Sequence, residues 1–275
     1  MSFNTVMVQL DVDDTVEPRL EFALALCRQF DADLIAFAAA EARMVVPAGD
    51  SAMLAAEALR HQVEQIEGQL EALHRDFQHH TANNPRVSWR GSVGNPTQLL
   101  TGHARAADLL IVGSPAPEIL SDHKRTLDHG SLIVSAGRPI LVASDDLVPM
   151  RPENAVVAWK DTREARRAVC DALPFLMRAQ NVLVLSIADE KDRAASESAD
   201  DVMRFLIKHG VKASSEIMDV GKSRACDALA QAACEFGADL IVSGAYGHSR
   251  LREWALGGVT RSLLRENGVH RFMSN

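Results

Sequence analysis

An α/β fold of two tandem doubly wound domains, each on a five-stranded parallel sheet, is predicted by three observations. Short apolar strands alternate with amphipathic helical stretches along all 275 residues. The chain also repeats itself: Ala107-Asp-Leu-Leu-Ile-Val-Gly113 recurs as Ala238-Asp-Leu-Ile-Val-Ser-Gly244. Around each copy the punctuation is the same. Val93-Gly94 precedes the first copy and Gly130-Ser131 follows it. Val220-Gly221 and Gly257-Gly258 bracket the second, at a common offset of 127 residues.

In the first half, residues 5–10 form a short apolar strand and 18–30 have helical periodicity. Residues 34–40 are the second strand. A long helix over about 51–80 is marked by Leu54, Leu59, Val63, Ile66 and Leu70. Strands at 87–89, 109–112 and 140–143 complete the five. The second half reads as strands at 155–158, 182–187, 213–218, 240–243 and 269–273, separated by helices near 163–177, 196–209, 224–235 and 259–265. Asp145-Asp146, Pro149 and Pro152 interrupt the pattern, so the domains are placed at 1–147 and 152–275. Right-handed crossovers put the ligand crevice of such a sheet at the carboxyl ends of its strands.

Composition narrows the classes of function. Hydrophobic residues are 47% and charged residues 24%, as in globular proteins. The net charge of −8, with no basic stripe between aromatics, argues against nucleic-acid binding. No apolar run reaches the roughly 20 residues of a membrane span, and no basic segment precedes the first apolar stretch. The expectation is a cytoplasmic protein with no membrane contact. Cys27, Cys170, Cys226 and Cys234 form no C-x-x-C pair and are expected as reduced core thiols.

Chemistry concentrates near residue 244. Gly244-Ala-Tyr-Gly247 is followed nine residues later by Gly257-Gly258-Val259-Thr260, after an apolar strand and before a helix-like segment. Strand, glycine-rich loop and helix start are what a phosphate site needs, because backbone N–H groups approach the anion and the helix dipole favours it. The alternative is that these glycines only make turns.

This segment resembles the G-x2-G-x9-G-(S/T) nucleotide signature of the universal stress protein family, and the whole chain resembles its tandem, Rossmann-like form. Gly244, Gly247 and Gly257 match in type and spacing; Gly258 stands where a Ser or Thr is usual, and Thr260 offers a hydroxyl two residues on. The resemblance implies that Ser243, Gly244, Tyr246, Gly247, Gly257, Gly258, Val259 and Thr260 hold the ribose and phosphates of ATP or a related nucleotide. His248 is either a further phosphate contact or a plain loop residue. At the first strand of this half, Ala158-Trp159-Lys160-Asp161-Thr162 replaces the family's V-D-G-S turn. Lys160 falls where an Asp usually meets the nucleoside, and either reaches a phosphate or blocks the adenosine pose; Asp161 is the nearest substitute. Trp159 either covers a base or packs in the core.

The first half departs further. Ala116 replaces the second glycine, Pro115 and Pro117 flank it, and the gap to Gly130 is four residues longer than its counterpart. Asp11 and Asp13 remain near the first turn, and this half reads as a degenerate domain without nucleotide. The resemblance also implies that the fifth strands, 140–143 and 269–273, pair to join the halves as an intramolecular pseudo-dimer. A homodimer is compatible with this.

Other patterns carry less. Gly221-Lys222-Ser223 lacks the glycine that a P-loop requires five residues earlier, where Glu216 stands. His74, His79, His80, His123 and His129 lack the spacing of metal ligands, so no metal site is expected. Arg250 and Arg252 are better read as partners of Glu253 than of phosphate. No nucleophile, base and oxyanion site assemble, so no catalytic residue is expected and the chain is not read as an enzyme beyond a weak ATPase. The readings are a nucleotide-linked stress-response regulator or binding protein, a nucleotide-independent interaction module, and a slow ATPase with Asp161 as the metal-binding carboxylate.

Overall fold

A computed structural model describes residues 2–43, 52–82, 84–115, 125–147, 150–188, 192–219, 225–246 and 268–275. The alternation is as expected. The first half runs β1 (Thr5–Gln9), α1 (Glu17–Phe30), β2 (Asp33–Ala40), α2 (Ala52–Thr81), β3 (Val87–Val93), α3 (Pro96–His103), β4 (Leu109–Val112), α4 (His129–Ser135) and β5 (Ile140–Val142). The second runs β6 (Asn154–Trp159), α5 (Arg163–Leu176), β7 (Asn181–Ile187), α6 (Arg193–Lys208), β8 (Ala213–Met218), α7 (Ala225–Glu235), β9 (Leu240–Gly244) and β10 (His270–Ser274). The helix expected over 259–265 lies outside the described residues.

Two compact units result. One holds Asn4–Ile111 and Pro115–Ala136, the other Met1–Phe3, Val112–Ser114 and Gly137–Asn275. In the first, the strand order is β3-β2-β1-β4, all parallel, with Val6 level with Leu34 on one side and Leu109 on the other. In the second it is β5-β10-β9-β6-β7-β8. There every pair is parallel except β5 with β10, where Phe272 lies opposite Leu141. The three residues of β5 hydrogen-bond to β10, which explains why it groups with the second half's strands.

Helices cover both faces of parallel sheets, so central strands are apolar throughout. Val6, Met7 and Val8 of β1, and Leu240 and Val242 of β9, are fully buried. Helix starts follow local chemistry: Asn95 caps α3 through Gln98 N, Thr162 caps α5 through Ala165 N, and Asp192 caps α6 through Ala195 N. The Asp192 cap starts α6 three residues earlier than its apolar period suggests. β3 runs on past Trp89 because its polar residues Arg90 and Ser92 still pair with β2.

The repeated Ala-Asp-Leu has a structural cause. Asp108 Oδ2 accepts from Asn4 N and Thr5 N at 2.8 and 3.1 Å, and Asp239 Oδ2 accepts from Glu153 N at 2.7 Å. Each carboxylate therefore latches the chain as it enters the first strand of its half. Burial pushes the Asp239 carboxyl up, against the Glu153 N–H that pulls it down.

The thiols differ from expectation. Cys27 is buried, and burial pushes its thiol up to about 12, so it is inert. Cys170 and Cys234 are exposed rather than core residues, because they fall on the solvent side of α5 and α7. The side chain of Cys226 lies outside the described residues.

Candidate functional site

The chain leaves β6 through α5 to β7 on one side, and leaves β9 toward β10 on the other. Adjacent strands whose continuations part in opposite directions define the switch point of a doubly wound sheet, where a crevice opens at the carboxyl ends. Register brings the expected residues together there: Ala158 of β6 is level with Ser243 of β9. Ala158 is half-buried and Ser243 buried, while Lys160 and Asp161, just past β6, are exposed.

Gly244 has a role that its pattern did not reveal. A Cβ there would lie 2.4 Å from Ala165 N, 2.6 Å from Glu164 C and 2.8 Å from Ala165 Cα. The first turn of α5 thus fills the space a side chain would take. This close approach sets the free donors and the positive end of a 14-residue helix beside the exit of β9. Within that turn Ala165 N is taken by Thr162 Oγ1 at 3.2 Å. Glu164 is 2% exposed, and Arg163 Nε stands 3.3 Å from its Oε1, too poorly aligned for a hydrogen bond.

The charges at the turn after β6 differ from those the resemblance implies. Arg166 holds Asp161 Oδ1 with Nε at 2.8 Å and Nη2 at 2.7 Å. The one carboxylate singled out for a metal or nucleoside is therefore engaged by the helix that follows it. Among the described residues no carboxylate pairs with Lys160, and no group of three or more metal-ligating side chains forms. Trp159 packs in the core, 6% exposed, with Nε1 donating to Ser198 Oγ of α6 at 3.2 Å.

Past β9, Tyr246 is half-buried and takes a left-handed backbone, φ 56°. Gly247, His248, Gly257, Gly258, Val259 and Thr260 lie outside the described residues, as do His123, Gly221, Lys222, Ser223, Arg250, Arg252 and Glu253. Sequence reasoning missed two contributors. Thr162 was legible as a Thr standing before a helical run. Asn275, whose Nδ2 donates to Ala245 O at 2.7 Å and Tyr246 O at 3.1 Å, carries no sequence signal.

In the other unit, the acids near the first turn are claimed by arginines. Arg19 Nη1 donates to Asp11 Oδ2 at 2.7 Å and to Gln9 Oε1 at 3.1 Å. Arg125 forks onto Asp13 with two bonds of 2.6 Å and reaches Gln69 Oε1 at 2.9 Å. The hydrogen-bonded Arg125 guanidinium holds the Asp13 carboxyl below the usual carboxylate range. A depressed folded-state value contributes stability above the unfolded value of about 3.9, and that stability is lost as pH falls through the folded value. Asp13→Asn is accordingly expected to be less stable than the parent at neutral pH. The gap should close on acidification, as urea unfolding at stepped pH would record. A gap that persists below pH 2 would refute the assignment.

Other clusters are structural. His74 stacks on Trp89, ring centroids 5.2 Å apart at 9°, and His80 Nδ1 contacts Asp76 O at 2.8 Å.

These features define the class: a doubly wound α/β protein built from two repeats, with a topological switch point between β6 and β9. Its fold is that of the universal stress proteins. A universal stress protein from Archaeoglobus fulgidus DSM 4304 superposes with a TM-score of 0.65 at 13% identity, covering 99% of this chain and 98% of that one. A functionally unknown protein from Pseudomonas aeruginosa PAO1 superposes with a TM-score of 0.60, also at 13% identity, covering 99% and 92%. No protein-family model matches the sequence, and no curated protein matches it. No described helix is long and apolar enough to cross a membrane.

Proposed function

We propose that this chain is a tandem universal stress protein whose second half binds ATP or a related nucleotide. On this reading it acts in the cytoplasm as a nucleotide-linked regulator or binding protein in stress response. The observation that carries the reading is the seating of Gly244 against the backbone of Glu164 and Ala165. A glycine packed on a helix N-terminus at the switch point supports this reading, because such sheets receive phosphates at helix starts there. Backbone N–H groups of the loop from Gly244 to Thr260 would cradle the phosphates, and Lys160 adds a cation at the rim. The fold of the solved universal stress proteins supports the class.

The first half is read as a domain without nucleotide, since Asp11 and Asp13 already bind Arg19 and Arg125. Domains at 1–147 and 152–275 then form an intramolecular pseudo-dimer, supported by the antiparallel pairing of β5 with β10.

The reading is tested by calorimetry with ATP, and by mass spectrometry for nucleotide carried through purification. Micromolar binding is expected in the parent, and loss of at least about a hundredfold in Gly247→Val, whose side chain would exclude the phosphates from the backbone. Absence of both binding and carried nucleotide would sink it. A second reading, an interaction module without nucleotide, is favoured by the engagement of Asp161 with Arg166. It would then take precedence.

A further inference from the structure

The residue that leads into the second glycine of the signature is held in a conformation it resists. Tyr246 has φ 56°, where a side chain crowds its own carbonyl. It directly precedes Gly247 and lies two residues past Gly244, the last residue of β9. Asn275, immediately after β10, spans this corner: its Nδ2 donates to Ala245 O at 2.7 Å and Tyr246 O at 3.1 Å. In extended chain, consecutive carbonyls point to opposite sides, so one amide nitrogen reaches both only when Tyr246 is turned. The corner is anchored further. Ala245 N donates to Ser274 O at 2.9 Å, and Ser274 Oγ donates to Asp171 Oδ2 at 2.9 Å. Asp171 lies on α5, the helix whose first turn packs on Gly244.

We propose that Asn275 is a positioning residue for the nucleotide site: its side-chain amide clamps Tyr246, one of the residues read as holding the nucleotide, in its left-handed turn. This inference rests on the nucleotide reading above. Asn275 touches no ligand in it; it acts through the backbone of Ala245 and Tyr246. Glycine adopts the same turn without help, so the clamp should become dispensable when Tyr246 is replaced by glycine.

The test is a double-mutant cycle on the full chain, with ATP affinity measured by calorimetry for the parent, Asn275→Ala, Tyr246→Gly and the double variant. In the parent background Asn275→Ala is expected to weaken binding about tenfold, the size of a lost hydrogen-bonded pair. In the Tyr246→Gly background the loss should shrink to about twofold or less. Equal losses in both backgrounds would mean a general structural role and would overturn the proposal. Hydrogen exchange without ligand separates this from failure of the nucleotide reading. The Ala245 amide should exchange about tenfold faster in Asn275→Ala than in the parent. If exchange follows that pattern but no protein takes ATP, the clamp stands and the nucleotide reading falls. If Ala245 exchanges equally in the parent and Asn275→Ala, the clamp falls.

Discussion

Gly244→Ala is expected to destabilise the protein by about 3 kcal/mol, the upper part of the range for overpacking a filled site. The new methyl would sit 2.4 Å from Ala165 N, and the obstructing atoms are helix backbone, which cannot rotate aside as a side chain would. Relief requires α5 to move off β9, which also withdraws the helix N-terminus from the crevice. Stability and nucleotide affinity should therefore fall together, with the urea midpoint lowered by roughly 1 M. Gly68→Ala on α2 is the control, since a Cβ there meets nothing within 4 Å. It should stabilise by about 0.5–1 kcal/mol through helix propensity. An unchanged midpoint in Gly244→Ala would show that β9 and α5 do not pack in this way.

Phe175→Ala is expected to cost about 4 kcal/mol, within the range for truncating a buried phenylalanine. Phe175 is fully buried near the end of α5, its ring 5.2 Å from Phe3 and 5.8 Å from Phe272 of β10. These three rings join the helix to β10, and their loss leaves a cavity that rigid strands cannot collapse. The damage lies two turns or more from Ala165, so the folded fraction should keep its nucleotide affinity. Chemical unfolding checks the first statement and calorimetry at low temperature the second. A stability loss under 1 kcal/mol would contradict the packing. Loss of affinity in the folded protein would mean that α5 responds as one rigid lever. The two substitutions thus separate packing at the site from packing of the helix that serves it.

The fold was legible in the sequence because period and punctuation are local properties. The repeat of Ala-Asp-Leu foretold two matching halves, and the apolar runs at 109–112 and 240–243 marked strands covered on both faces. The repeated Asp was visible too, though its function was not. Only the structure shows Asp108 and Asp239 accepting N–H groups from residues some hundred and some ninety positions away in the chain.

The site was legible in part. Spacing placed Ser243 and Gly244 at a strand end and Lys160 and Asp161 at a turn, and the register between β6 and β9 brings Ala158 and Ser243 level. What the residue types could not carry was the use made of them. Gly244 is expected from its pattern as a glycine that admits an anion; its missing Cβ also makes room for helix α5, which no pattern signals. Asp161 was read as an available carboxylate, yet Arg166 takes it up one turn along. Cys170 and Cys234 were read as core thiols because the apolar period does not tell which neighbours a helix will meet.

The sequence by itself determined the alternation of strand and helix, the duplication and the position of the glycine signature, since each depends on residues close together along the chain. Tertiary structure alone decided which acids are already paired, which glycine is needed for space, and that Asn275 holds the corner at Tyr246. Those facts depend on which side chains meet in space, from 5 residues apart for Asp161 and Arg166 to 112 apart for Asp13 and Arg125, where geometry and not local pattern selects the partner.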